Sequence, residues 1–145
     1  METPMVIRED VPADRDALFG VWLRSVLAIH TFLTEAEIQE LLPLVRDSAL
    51  PKLEVWVLCL GGVPGFVGLD GAKLEALFLD PKHFRQGGGR LLVDHARRRK
   101  GQLMVDVNEQ HPNAIKFCKA LGFRVTGRSD VDGSGRPFPL LHLRE

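Results

Sequence analysis

The stretch Lys73-Leu74-Glu75-Ala76-Leu77-Phe78-Leu79-Asp80-Pro81, continued by Lys82-His83-Phe84-Arg85-Gln86-Gly87-Gly88-Gly89-Arg90 and then Leu91-Leu92-Val93, decides how this chain folds. Its first seven residues read as a strand, and Asp80-Pro81 stops it because proline cannot donate to a ladder. Leu91, Leu92, Val93, His95 and Ala96 read as a helix, with Gly101 as its natural C-cap. Three successive glycines ahead of a good helix weaken it unless the backbone itself has work to do there. Glycine lets consecutive N–H groups turn toward one ligand without Cβ clashes, and a helix N-terminus adds roughly half a positive charge. Gln86 to Arg90 therefore read as an anion site suited to phosphate. The string is not a P-loop, for no Gly-x-x-x-x-Gly-Lys-Ser/Thr exists in the chain. It is not a dinucleotide fingerprint either, because the position three residues after Gly89 is Leu92.

Upstream, Met5–Arg8 reads as a short strand and Pro12 as the first turn of a helix, with Asp10 as its cap. Leu18, Val21, Trp22, Ser25, Val26 and Ile29 recur at helical spacing. Thr34-x-x-Glu37 fits a capping box opening a second helix to about Val45, its end weakened by Pro43. Glu54–Leu60 and Val63–Leu69 read as a hairpin about Gly61-Gly62. Downstream come a strand at Leu103–Val107, a helix from His111 to Ala120, and late strands at Phe123–Thr126 and Pro139–Leu143. The order β-α-α-β-β-β-α-β-α-β-β is that of an α/β chain with a mixed sheet. Trp22 and Trp56 are expected in or near the core. Arg97-Arg98-Arg99-Lys100 complements the helix dipole and is expected to be solvated.

With 145 residues, the chain has the size of one domain, 1–145. Nineteen Lys plus Arg balance nineteen Asp plus Glu, which argues against a nucleic-acid partner. No apolar run approaches the ~20 residues of a membrane span, and Met1–Glu9 does not read as a signal peptide. A cytoplasmic protein is expected, with no membrane partner. Cys59 and Cys118 are too few for a disulfide scaffold, and His95 and His142 have no second ligand at metal spacing, so no metal site is expected.

Ala76-Leu77-Phe78-Leu79-Asp80-Pro81, the Gly87-x-Gly89-Arg90 loop and Phe117-Cys118-Lys119-Ala120-Leu121-Gly122-Phe123 together resemble a GNAT-type N-acetyltransferase over nearly the whole chain. Arg24-Ser25-Val26, His30-x-Phe32-Leu33, Val107-Asn108-Glu109-Gln110 and Val125-Thr126-Gly127-Arg128-Ser129 resemble a small bacterial subgroup of that family. The resemblance implies a mixed, mostly antiparallel central sheet flanked by helices. It also implies acetyl-coenzyme A (coenzyme A) as cofactor and direct transfer of acetyl to an amine. The acceptor would be a small molecule, a protein lysine or an N-terminus, and a homodimer stays open. The strand before the loop would be bulged and splay from its successor. Phe78 and Leu79 would face the pantetheine arm, Leu77 beside them would also bind the cofactor, and Arg85 with Gln86, Gly87, Gly88, Gly89 and Arg90 would hold the pyrophosphate. A backbone N–H near Leu77 or Phe78 would meet the developing oxyanion.

The chain departs from the family pattern at three places. Phe84 stands where Arg or Gln is usual, and Arg85 beside it supplies the charge. Cys118 stands at the position of the Tyr general acid; the chain has no Tyr at all. The alternative for Cys118 is a small buried hydrophobe. His111 replaces an Asn that steadies the arm, the alternative being a helix cap. Glu75 is the candidate general base and His30 the other. A coenzyme A-binding sensor or regulatory module with little catalysis is the alternative function, and a redox-responsive protein acting through Cys118 is a third reading.

Overall fold

A computed structural model describes residues 6–29, 34–59, 62–83, 87–133 and 135–145. Among these residues, seven strands and four α-helices follow the expected order. They are β1 (Val6–Glu9), α1 (Arg15–Ile29), α2 (Glu35–Leu44), β2 (Glu54–Cys59), β3 (Gly65–Asp70), β4 (Lys73–Leu79), α3 (Gly88–Lys100), β5 (Met104–Asn108), α4 (Pro112–Ala120), β6 (Arg124–Ser129) and β7 (Leu140–Arg144). The strands form one sheet in the order β1-β2-β3-β4-β5-β7-β6. Every neighbouring pair is antiparallel except β4 with β5. The parallel pair is bridged by α3, as a crossover connection must be.

Alternation along the strands builds two cores. On one face Trp56, Leu58, Val67, Leu69, Leu74, Val105, Val107 and Leu143 pack with Leu92, Val93 and Ala96 of α3 and with Cys118 and Leu121 from α4 and its C-cap. On the other, Val55, Val57, Phe66 and Ala76 pack against Leu18, Val21, Trp22 and Val26 of α1 and Ile38 of α2. The second core ends at β4. Trp22 and Trp56 are buried, as expected. The capping box also forms: Thr34 Oγ1 accepts from the Glu37 amide at 3.1 Å, and Glu37 Oε1 accepts from the Thr34 amide at 3.0 Å. Pro43 lies inside α2, and the chain widens into a π-type turn at Val45–Ala49.

Three local expectations need correction. Asp10 is not the cap near Pro12. Val11 holds that position and Asp14 reaches back, accepting from the Val11 amide at 2.8 Å while pairing with Arg8 at 2.8 and 2.9 Å. Helix α3 begins at Gly88 rather than Leu91, so two glycines belong to its first turn. The basic run is not simply solvated. Arg97 pairs with Asp94 and with Glu145, Lys100 pairs with Glu54, and the Arg99 guanidinium lies 4.3 Å from the Trp56 ring centroid. The run thus ties α3 to the C-terminal residue and to β2.

Candidate functional site

The site begins where two parallel strands part. Between β4 and β5 the ladder has two rungs, Lys73 with Met104 and Leu74 with Val105. Past them each strand stays paired on its far side, β4 with β3 and β5 with β7. The parting coincides with a bulge. Gly68 pairs with Ala76 and Leu69 with Leu74, so Glu75 is an extra residue in β4. An extra residue bends its strand and increases the local twist. Here that bend falls at the first position beyond the last shared rung. Leu77, Phe78 and Leu79 follow along the open lip. This is the bulged, splayed strand that the resemblance implied.

The far end of the splay is closed by the glycine turn. Gly87 has φ +84°, a left-handed conformation that glycine enters without Cβ strain, and it sits at the N-cap of α3. A Cβ on Gly88 would come within 2.9 Å of Leu58 Cδ2, and one on Gly89 within 3.1 Å of Phe117 Cζ. The missing side chains therefore let the start of α3 lie close against β2, β4 and α4. Upstream, Asp80 fixes the exit from β4. Its amide donates to the Pro64 carbonyl, and its carboxylate accepts from Arg24 Nε at 2.7 Å and from the Lys82 amide at 3.2 Å. Burial works against the Asp80 anion, yet those donors hold its pKa below the ordinary carboxylate range. Arg85 and Gln86, with Phe84, and the alternative base His30 lie outside the described residues.

His111 is the N-cap of α4. Its Nδ1 accepts from the Ala114 amide at 3.2 Å, which puts the ring proton of the neutral imidazole on Nε2. Burial lowers its pKa and favours that neutral form. The capping alternative for this residue is therefore realised; a contact with the arm would use the other nitrogen. Cys118 lies in the core with Leu121 and Phe123, and burial pushes its thiol up to about 11. This fits the small-hydrophobe alternative. It runs opposite to the lowered pKa that a redox-reactive thiol needs.

Glu75 is exposed, and its Oε1 lies 3.1 Å from Lys73 Nζ. The same ammonium lies 3.0 Å from Asp106 Oδ2 on β5. Asp106 Oδ1 accepts from His142 Nδ1 of β7 at 2.6 Å, and His142 Nε2 meets Ser129 Oγ of β6 at 2.7 Å. An ionised carboxylate only accepts, so the His142 proton facing it sits on Nδ1. Burial would raise the Asp106 pKa, but hydrogen bonds from His142 and Lys73 prevail and lower it. Lys73 is in turn raised, chiefly by its bond to Asp106. Sequence reasoning missed this row because it dismissed His142 as isolated. The available signal was polar Asp106 and His142 each set between two apolar neighbours in a strand, Val105 and Val107, Leu141 and Leu143.

Elsewhere, a cavity of about 370 Å³ is lined by residues such as Asp10, Arg15, Arg46 and Leu53. It shares no residue with the splay. No helix among the described residues is long and apolar enough to cross a membrane.

An open edge for an extended ligand, a glycine-lined helix start for an anion and a carboxylate at the parting of the strands suit a cofactor with a peptide-like arm and a pyrophosphate. Comparison with known proteins agrees. Residues 51–125 match the family profile described as acetyltransferase (GNAT) domain. The chain is 43% identical over 139 residues to the peptidyl-lysine N-acetyltransferase YjaB of Salmonella typhimurium, covering 94% of this chain and 95% of that one. The solution structure of apo-form YjaB from Escherichia coli superposes with a TM-score of 0.89 at 41% identity, covering 97% of each chain. The fold is also shared, at a TM-score of 0.66 and 23% identity, with yncA from Salmonella typhimurium, solved with acetyl-CoA, over 98% of this chain and 93% of that one.

Proposed function

This chain belongs to the GNAT acetyltransferase family and is an acetyl-coenzyme A-dependent N-acetyltransferase, and from that premise we propose that its acceptor is a lysine side chain of a peptide or protein. The name of the YjaB relatives supports the acceptor class. The observation that carries the reading of the site is the extra residue Glu75 at the rung where β4 and β5 part.

Acetyl-coenzyme A, when bound, would supply an acyl thioester open to attack by an amine, with coenzyme A leaving as the thiol. The amides at the start of α3, from Gly87 to Arg90, would hold its pyrophosphate, and Arg85 and Gln86 are the further pyrophosphate ligands of this reading. The lip Leu77, Phe78 and Leu79 would line the pantetheine arm, and a backbone N–H there would meet charge developing on the carbonyl oxygen. Glu75 takes the proton from the acceptor ammonium, since an ammonium has no lone pair to attack with. Cys118 remains the weak acid of this scheme. A thiol at about 11 stays protonated at neutral pH and donates reluctantly, so its contribution is small. The whole chain, 1–145, acts as one catalytic domain.

Two measurements test this. Acetyl-coenzyme A at about a hundred times its dissociation constant should stabilise the protein by ~2.7 kcal/mol, seen as a rise in unfolding temperature. Lysine-containing peptides should then gain acetyl groups at Nε, located by mass spectrometry. Acetylation confined to small amines or to peptide N-termini would refute the lysine acceptor. Glu75→Gln should lower kcat/KM by roughly 10²-fold or more while leaving the acetyl-coenzyme A thermal shift intact. A nearly unchanged rate would remove Glu75 from the base role.

A further inference from the structure

Just past the last shared rung, each lip of the splay begins with a carboxylate: Glu75 on β4 and Asp106 on β5. Among the described residues, Asp106 is braced from behind by the His142 ring. We propose that His142 is a positioning residue for acetyl transfer, its Nδ1–H holding the Asp106 carboxylate at the β5 lip so that Asp106 orients the acceptor ammonium opposite Glu75. This rests on the splay being the place of transfer, and not on which amine is the acceptor.

Strand alternation gives the direction. Val105 and Val107 point into the core under α3 and α4, so Asp106 between them points to the opposite face. The α1–α2 core on that face stops at β4. Asp106 and His142 are accordingly accessible, their side chains 27% and 37% exposed. The gap between the two lips has the size and charge for a primary ammonium: that of Lys73 fills it, 3.1 Å from Glu75 and 3.0 Å from Asp106, and the acceptor ammonium would take its place as the flexible Lys73 stem swings aside.

The bracing is one-sided in stiffness. Lys73 reaches Asp106 Oδ2 on a flexible four-carbon stem and divides its bonds with Glu75. The His142 ring meets Oδ1 at 2.6 Å with only two torsions, and Ser129 holds its other nitrogen at 2.7 Å. Three side chains from β5, β7 and β6 thus form one row that fixes the plane of a carboxylate beside the open lip. The groups facing His142 are Asp106 on β5, with Lys73 and Glu75 of β4 behind it, and Ser129 on β6. Arg144 lies two residues along its own strand, on the same face.

The test compares His142→Leu, which removes the donor, with His142→Asn, whose amide N–H replaces Nδ1–H. Initial rates are measured on a lysine peptide and on propylamine. His142→Leu should lower kcat/KM for the acceptor by about 10²-fold, the cost of a misplaced group, while KM for acetyl-coenzyme A stays unchanged. His142→Asn should recover most of that loss. A leucine variant close to wild type overturns the proposal. So does an asparagine variant no better than leucine, or an equal loss of acetyl-coenzyme A affinity. Wild-type enzyme that acetylates propylamine but no peptide refutes the lysine acceptor and leaves the His142 comparison to be read on propylamine. Independently of turnover, propylammonium added to the coenzyme A complex should shift the Asp106 carboxyl carbon resonance in wild type and His142→Asn but not in His142→Leu. An unmoved Asp106 signal in wild type also overturns it.

Discussion

The part of the sheet formed by β2, β3 and β4 is covered on both faces, whereas the part formed by β5, β7 and β6 contributes to a core on one face only. In the first part, adjacent residues such as Val55 and Trp56, or Phe66 and Val67, all disappear into one core or the other. In the second, apolar residues alternate with a hydrogen-bonded polar row. The difference shows how one sheet serves two purposes. Burial on both faces makes a rigid edge from which β4 can bulge without collapse. Leaving one face of the other part uncovered lets polar side chains be aligned by backbone register and still be reached. Apart from Glu75 at the parting of the strands, polar groups in the two parts should therefore have different consequences, structural in the first and catalytic in the second.

The largest expected effect is on the doubly covered part. Phe66 is fully buried, with its ring centroid 5.8 Å from that of Phe78. Phe66→Ala should cost about 3–5 kcal/mol in urea unfolding, since the cavity is walled by elements that cannot all close in. A loss near 1 kcal/mol would mean this part is not the rigid one. A smaller effect sharpens the contrast between polar groups. Asp14 is buried and held by Arg8 and the Val11 amide, which depress its pKa to about 2. A depressed carboxylate stabilises the fold above its ordinary pKa, and that stabilisation is lost as pH falls toward about 2. Asp14→Ala should cost about 1–3 kcal/mol at neutral pH and flatten the acid dependence of stability, with kcat unaltered. Parallel acid profiles for variant and wild type would contradict this. The smallest effect is expected at Cys118. Cys118→Ala should change kcat by less than about tenfold, because a thiol raised to about 11 donates poorly. A larger loss with cofactor affinity intact would restore Cys118 to a central role.

Much of this protein is legible along the chain because its signals are local. The Thr34–Glu37 box, the extent of β4 and the glycine turn before α3 depend on residues within a few positions of one another. The bulge at Glu75 is different in kind. Nothing in Lys73–Leu79 marks an extra residue; it exists only relative to β3, and family resemblance rather than periodicity pointed to it. The start of α3 was misplaced because glycine in a first helical turn opposes propensity, and close packing against Leu58, Leu79 and Phe117 overrides it.

The sequence by itself determined the order of elements, the family and the place of the glycine turn before α3, since hydrophobic period, capping chemistry and glycine placement act over short range. Only the tertiary structure decided that β7 inserts between β5 and β6 and sets His142 beside Asp106, 36 positions away. Register between distant strands is chosen by the burial of whole faces, Val105 and Val107 with Leu141 and Leu143, and the polar residues between them are carried into contact by that choice.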